Sequence, residues 1–341
     1  MSILILVLLF TVLWKSSYNT TSFNDEYLAL ANCIPWRGVM ALLVVFHHIS
    51  QHTPSSPIMQ LFYPIGCMAV SVFFFYSGYG LQTQFLSKPD YKKNFFSHRI
   101  FPILIPYLLM TFFYWISNGI IGIPMAFSTV IKNLFSEYAI VSNSWYIMCL
   151  LSFYIFYGCS MKVCKTKNGM IVATALYCMG WICFCKYNHL GNWWFNATHA
   201  LLIGTIWASY YEQITSWIKK HYWILCIPLF LICIIFLIYI RNYVSNYTSA
   251  VVLSTLFPLC FLLLCMKFKI NNPILSFTGK LSFELYMAHG FFLYAFRFIE
   301  SDVFYTISIF IAAYLVAYIY YHIDHWIIKK ISKCTRPKIS N

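Results

Sequence analysis

Arg37 and His48 are the first residues whose types and spacing could do chemistry. Both lie in one apolar stretch, Pro35-Trp-Arg-Gly-Val-Met-Ala-Leu-Leu-Val-Val-Phe-His-His48. Arginine offers a rigid fork of donors suited to phosphate oxygens. Histidine titrates near neutrality and can take a proton from a weak nucleophile. Eleven helical steps of about 100° return His48 to within about 20° of Arg37, so both share one face, about 16 Å apart along the axis. His47 is turned about 80° from that line, toward a neighbouring helix or lipid. Taken alone, Arg37 reads equally well as a snorkelling interfacial anchor, and a lone histidine near the end of a span as a satisfied interfacial group. Two such groups on one stripe favour chemistry, because each ionisable group at membrane depth costs about 2.5–3.5 kcal/mol on insertion scales.

Other polar residues in apolar surroundings are fewer. Glu284 and His289 are five residues apart, about 140° around a helix, and do not form a pair on one face. Glu284 stands one turn from Lys280 and reads either as an ion-pair partner of Lys280 or Arg37 or as a catalytic carboxyl. Ser77-Gly78 is a small-residue pair suited to close helix packing, and Ser77 is also a candidate substrate contact. Trp145 and Tyr146 read as interfacial aromatics, with sugar stacking as the alternative. His322 and His325 have metal-ligand spacing but no third ligand in sequence, so no metal is expected. His-Glu-x-x-His, Gly-x-Ser-x-Gly and phosphate-cradling glycine loops are absent from the sequence.

The elements that must position these residues are membrane helices. Of 341 residues, 61% are hydrophobic and only 9% charged, and the mean hydropathy is +0.70. Soluble domains carry about 25% charge. Ten apolar blocks stand at roughly 35–53, 61–81, 100–121, 144–161, 169–185, 193–210, 222–240, 247–266, 281–299 and 303–323. The expectation is an all-α integral membrane bundle of about ten transmembrane helices, preceded by a short hydrophobic segment at residues 2–14. That segment has no basic leader or small-residue cleavage site, so a cleaved signal peptide is not expected. Its length suits an interfacial or tilted helix. Three regions follow: residues 1–31, the helical domain 32–328, and a basic tail 329–341.

The formal charge of +14, from 23 Lys+Arg against 9 Asp+Glu, would suggest nucleic acid in a soluble protein. Here it sorts by side. If the Pro35 block runs outward, alternation leaves only Lys132, Lys186, Arg241 and Arg297 of the 23 cations outside. The expectation is a multi-pass protein of the cell membrane with a cytoplasmic C-terminus and no nucleic-acid partner. Most of the 13 cysteines sit inside apolar blocks and read as small hydrophobes.

The order of four motifs resembles the membrane-bound acyltransferase-3 family, the O-acyltransferases that modify bacterial surface glycans. They are Arg37-x(10)-His48, Val72-Phe-Phe-Phe-Tyr-Ser-Gly-Tyr-Gly-Leu81, Asn94-Phe-Phe-Ser-His-Arg-Ile-Phe-Pro-Ile-Leu-Ile-Pro-Tyr107 and Leu281-Ser-Phe-Glu-Leu-Tyr-Met-Ala-His289. The resemblance covers roughly residues 32–328. The first basic loop, with Lys92, Lys93, His98 and Arg99, departs from the denser arginine cluster common in the family. The resemblance implies transfer of an acyl group, acetyl by default, from a cytoplasmic acyl-CoA to a glycan hydroxyl, with no permanently bound cofactor. It makes Arg37, with Ser77, Lys92, Lys93 and Arg99, candidates for the donor's phosphates, and His48, Glu284 and His289 candidate catalytic groups. His48 would act as general base or as an acyl-carrying nucleophile. A transporter or flippase of a glycan or anionic small molecule is the competing class. It predicts paired half-repeats with broken helices, and no internal repeat is visible.

Overall fold

The computed structural model describes residues 10–93, 95–242 and 247–334. It is predominantly helical, and the described residues contain one two-stranded antiparallel sheet. Each of the ten apolar blocks holds a helix. Seven are long and apolar enough to cross a membrane: Leu30–His52, Ile65–Ser87, Phe101–Ile120, Trp145–Val163, Lys167–Tyr187, Tyr247–Lys267 and Asp302–Ile331. An eighth is made if Tyr211–Lys220 and Tyr222–Ile238, bent by 90° at their junction, count as one. The remaining two blocks are shorter than expected. His199–Ser209 has 11 residues and Ser282–Ala295 has 14, about 17 and 21 Å of helix against a hydrocarbon layer of about 30 Å. Apolar content extends past their helices, into the 3-10 turn Asn192–Trp194 and the non-helical residues after Ala295. Among the described residues the full-length spans therefore number seven or eight rather than about ten, within the expected all-α membrane class.

The chain divides into two compact units. The first comprises Met1–Ser87 and Lys165–Ser282. Residues 1–9 of the leading segment lie outside the described residues. After it, strand β1 (Ser16–Tyr18) pairs antiparallel with β2 (Phe268–Ile270) in the register Ser16 to Ile270 and Tyr18 to Phe268. Lys267 is 4% exposed. Its ammonium donates to the carbonyls of Thr20 and Ser22 at 3.2 and 3.0 Å and sits over the Phe23 ring. These bonds replace the hydration that a buried cation loses.

Glycine sets the closest approaches in this unit. A Cβ on Gly38 would run into the Leu275 carbonyl, and one on Gly279 into the Ile34 carbonyl, so the Leu30–His52 and Pro273–Lys280 helices meet backbone to backbone. Asn272 starts the second of these helices. Its side-chain oxygen accepts from the Ile274 and Leu275 amides at 2.8 and 3.3 Å, with Pro273 in the first turn. A second reciprocal contact joins Ile65–Ser87 to His199–Ser209, where Gly78 faces the Leu201 carbonyl and Gly204 the Phe75 carbonyl. Small residues let helices pack by van der Waals contact where no hydrophobic gain is available in lipid.

The second unit comprises Lys88–Cys164 and Phe283–Asn341. Phe101–Ile120 packs along Asp302–Cys334, and hydroxyl-to-carbonyl bonds tie in the short Ser282–Ala295 helix. Tyr114 donates to Met287 O at 2.9 Å, and Tyr305 to Leu293 O at 2.7 Å. Phe113 packs edge-on against Phe291. The last helix continues through Lys329 and Lys330 to Cys334, and Arg336 and Lys338 of the basic tail lie outside the described residues.

Gly38→Ala and Gly279→Ala should each lower stability by about 1–3 kcal/mol, because the added methyl meets backbone that cannot rotate away. Gly180→Ala, where a Cβ meets nothing within 4 Å, is the control. Thermal unfolding in detergent should show a lower Tm for the first two and little change for the third.

Candidate active site

In the first unit, the helix face expected to carry chemistry is held at both ends. Arg37 is half-buried, and its Nη2 donates to Ser282 Oγ at 3.1 Å. The Gly38 contact with the Pro273–Lys280 helix makes this reach possible, since Ser282 follows directly after that helix. The Cys33 thiol and the buried Tyr76 hydroxyl lie within electrostatic range of the guanidinium. Trp36, beside Arg37, packs edge-on against Phe261 at 5.1 Å. A cation with several donors, one of them on a neutral serine, keeps donors for an anionic partner.

His48 lies near the other end of the same helix and is half-buried. Its Nδ1 is 3.3 Å from Gln51 Oε1. Gln51 Nε2 is 3.2 Å from His47 Nε2, and His47 Nδ1 is 2.6 Å from the Tyr63 carbonyl oxygen. Of the two surroundings expected for His47, the structure selects the neighbouring helix: the ring occupies the space left by Gly66, where a Cβ would collide with it. Gln60 completes the helix end by donating to Ser50 O at 2.8 Å. Ser77 donates to Phe73 O at 2.9 Å, one turn back, so its proton is committed and only its oxygen lone pairs remain for a ligand.

The other sequence candidates belong to the second unit. Lys93 pairs with Asp90 at 2.8 Å on an exposed surface, an interaction of little energetic weight. Lys92 is exposed beside it. Arg99 donates from Nε to the Tyr91 hydroxyl at 2.8 Å. Burial pushes that hydroxyl up to about 12 against the opposing pull of the Arg99 charge, so Tyr91 stays a neutral acceptor at physiological pH. Asn94, which opens the quoted loop motif, lies outside the described residues.

His289 is fully buried, with Nδ1 3.1 Å from Leu285 O. A carbonyl only accepts, so Nδ1 carries the proton and Nε2 holds the basic lone pair. Glu284, 4% exposed, lies against the fully buried Asp324. Ligand atoms of Glu284, Asp324 and His325 fall within 4.8 Å of one another. The groups gathered with His325 thus come from a distant helix, Glu284, and from the residue next to the histidine, Asp324. His322 itself stands apart, its ring against Tyr318 and Tyr321. His325 Nδ1 lies 2.8 Å from Tyr321 O and 2.7 Å from Asp324 Oδ1. Both are acceptors, so this nitrogen bears a proton and is not a metal ligand. Tyr146, read as interfacial, is 7% exposed and packs edge-on against Tyr286.

Sequence reasoning missed Gln51, Tyr63, Ser282 and Asp324 as site neighbours. Gln51 had a readable signal, standing at i+3 from His48 and i+4 from His47. Ser282 and Tyr63 are brought in by helix packing and chain reversal, which carry no local pattern.

Residues 36–322 match a family model described as an acyltransferase domain, the third family of that name. No match was found among curated proteins or solved structures.

Asp324→Ala should lower stability by about 1–3 kcal/mol by taking from the buried Glu284 carboxyl the side chain it lies against and from the His325 N–H one of its two acceptors. Asp324→Asn, which keeps a carbonyl oxygen there, should lose less. Tm values of the two variants check this order.

Proposed function

The chain belongs to the acyltransferase-3 family of membrane acyltransferases, and from that premise we propose that it moves an acetyl group from cytoplasmic acetyl-CoA to a hydroxyl of a cell-surface or exported glycan. The observation that carries this reading is the single helix bearing Arg37 and His48 on one face, each held by its own partner. The distance of about 16 Å between them is comparable to an extended pantetheine arm. Phosphates at Arg37 would then present the thioester near His48.

In this reading His48 Nε2 takes the proton of the glycan hydroxyl as its oxygen attacks the thioester carbonyl. The C–S bond breaks, and the imidazolium returns the proton to the departing thiolate, giving the ester and free CoA. No net proton is consumed. Arg37 binds the donor as a charge-assisted anchor. Lys92, Lys93 and Arg99 are a second set of candidate phosphate contacts, with Ser77 as a further donor contact. His289, through Nε2, and Glu284 are further candidate catalytic groups. The cation distribution supports a multi-pass protein of the cell membrane with its C-terminus in the cytoplasm.

The test is transfer of labelled acetyl from acetyl-CoA to surface glycan in native membranes. His48→Ala should lower the rate by at least about 100-fold. Arg37→Ala should act chiefly on the donor, raising KM for acetyl-CoA about tenfold, with Arg37→Lys between it and wild type. Full transfer by both alanine variants would overturn the proposal.

A further inference from the structure

We infer that His47 and Gln51 are positioning residues that decide which nitrogen of His48 can take a proton, through a hydrogen-bonded chain anchored on the Tyr63 carbonyl. This rests on the reading of His48 as the base.

One obligate acceptor fixes the direction of every bond in the chain. The Tyr63 carbonyl oxygen only accepts, so His47 Nδ1, 2.6 Å away, carries a proton. A neutral imidazole then has its lone pair on Nε2. The Gln51 amide faces that lone pair at 3.2 Å and must present its NH2 there. Its oxygen is thereby turned toward His48 Nδ1 at 3.3 Å, which donates to it. The lone pair of His48 is left on Nε2. Turning the Gln51 amide over would set its oxygen against His47 Nε2 and require a second proton on that ring. A cationic His47 packed against the Gly66 backbone would carry the cost of a desolvated charge. The amide orientation is therefore set by the main chain, two links from His48.

The rings are also held sterically. His47 fills the space left by Gly66, and the His47 and His48 rings meet edge to face at 4.8 Å and 60°. The Tyr63 ring closes the far side of His47 at 6.2 Å. The titratable side chains that this hydrogen-bonded chain meets include His47 and Tyr63, with His52 one turn further along the helix. Gln51 cannot release a proton, so nothing travels along the chain. When Nε2 takes the hydroxyl proton, Nδ1–H keeps its bond to Oε1, now to a cationic donor, and the same proton leaves from Nε2 to the thiolate. The chain orients the base and selects its tautomer, as the carboxylate does in hydrolase triads.

Two measurements on the full chain test this. The first uses protein labelled with nitrogen-15 histidine, in detergent at a pH where the rings are neutral. His48, assigned by comparison with His48→Ala, should show a protonated Nδ1 and an unprotonated Nε2, and the reverse pattern overturns the inference. The second is acetyl transfer from acetyl-CoA in native membranes. Gln51→Leu should lower kcat by about tenfold while KM for acetyl-CoA stays within about twofold. Gln51→Glu keeps an acceptor for Nδ1–H and should restore most of the rate. Its carboxylate favours the imidazolium, so the acidic limb of the pH–rate profile should move to higher pH, where the base is again free. A merely structural role for Gln51 would move neither the limb nor the tautomer. If Gln51→Leu transfers at the wild-type rate and pH dependence while His48→Ala does not transfer, the positioning role is wrong and the base stands. If His48→Ala itself transfers normally, the base reading fails first and the inference falls with it.

Discussion

The approach of two helix backbones at Gly38 and Gly279 is the constraint on which the candidate site depends. It brings the start of the Leu30–His52 helix against Pro273–Lys280 with no side chain between them. Ser282 follows within two residues and receives the Arg37 guanidinium. The half-buried Arg37 cation gains there a hydrogen bond that the close approach of the two glycines permits. Asn272, capping the short helix, fixes where that helix begins and so which of its residues faces Gly38. A conformationally weak residue type thereby becomes structurally decisive, since in lipid the gain comes from close contact rather than from expelling water.

The two halves of the candidate machinery are stabilised differently. Arg37 is held by a long-range contact, 245 residues apart in sequence. His48 is held by short-range ones, all between residues 47 and 66. In the proposed reading, the hold of Arg37 on a distant part of the fold would couple donor binding to packing. A base benefits from local wiring, because its proton geometry is then independent of the rest of the helices.

What was legible from sequence follows the same division. Helical periodicity put Arg37 and His48 on one face, and apolar length located every main helix, since both signals are local and repeat within a few turns. Family motifs read in order led to the acyltransferase class. Apolar length overstated His199–Ser209 and Ser282–Ala295, because hydropathy counts apolar residues whether or not they are helical. The pairing of Glu284 with Asp324 and the closeness of Gly38 to Gly279 were invisible for another reason. They are contacts between distant segments, and a residue's type says nothing about which distant segment it meets. Gln51 stood between the two cases, with a spacing that was readable but a meaning that appeared only once Tyr63 supplied the acceptor.

The pairing of β1 with β2 sets a timetable for making the protein. Lys267 bonds back to Thr20, 247 residues earlier, so the first segment and its strand have no partner until most of the chain has emerged. At about 5–20 residues per second, this leaves the N-terminal segment waiting roughly 12 to 50 s beside the ribosome. The closing hydrogen bonds of the first unit are thus among the last that synthesis permits. A chain interrupted before Phe268 would carry both Arg37 and His48 yet lack the strand that ties down its beginning.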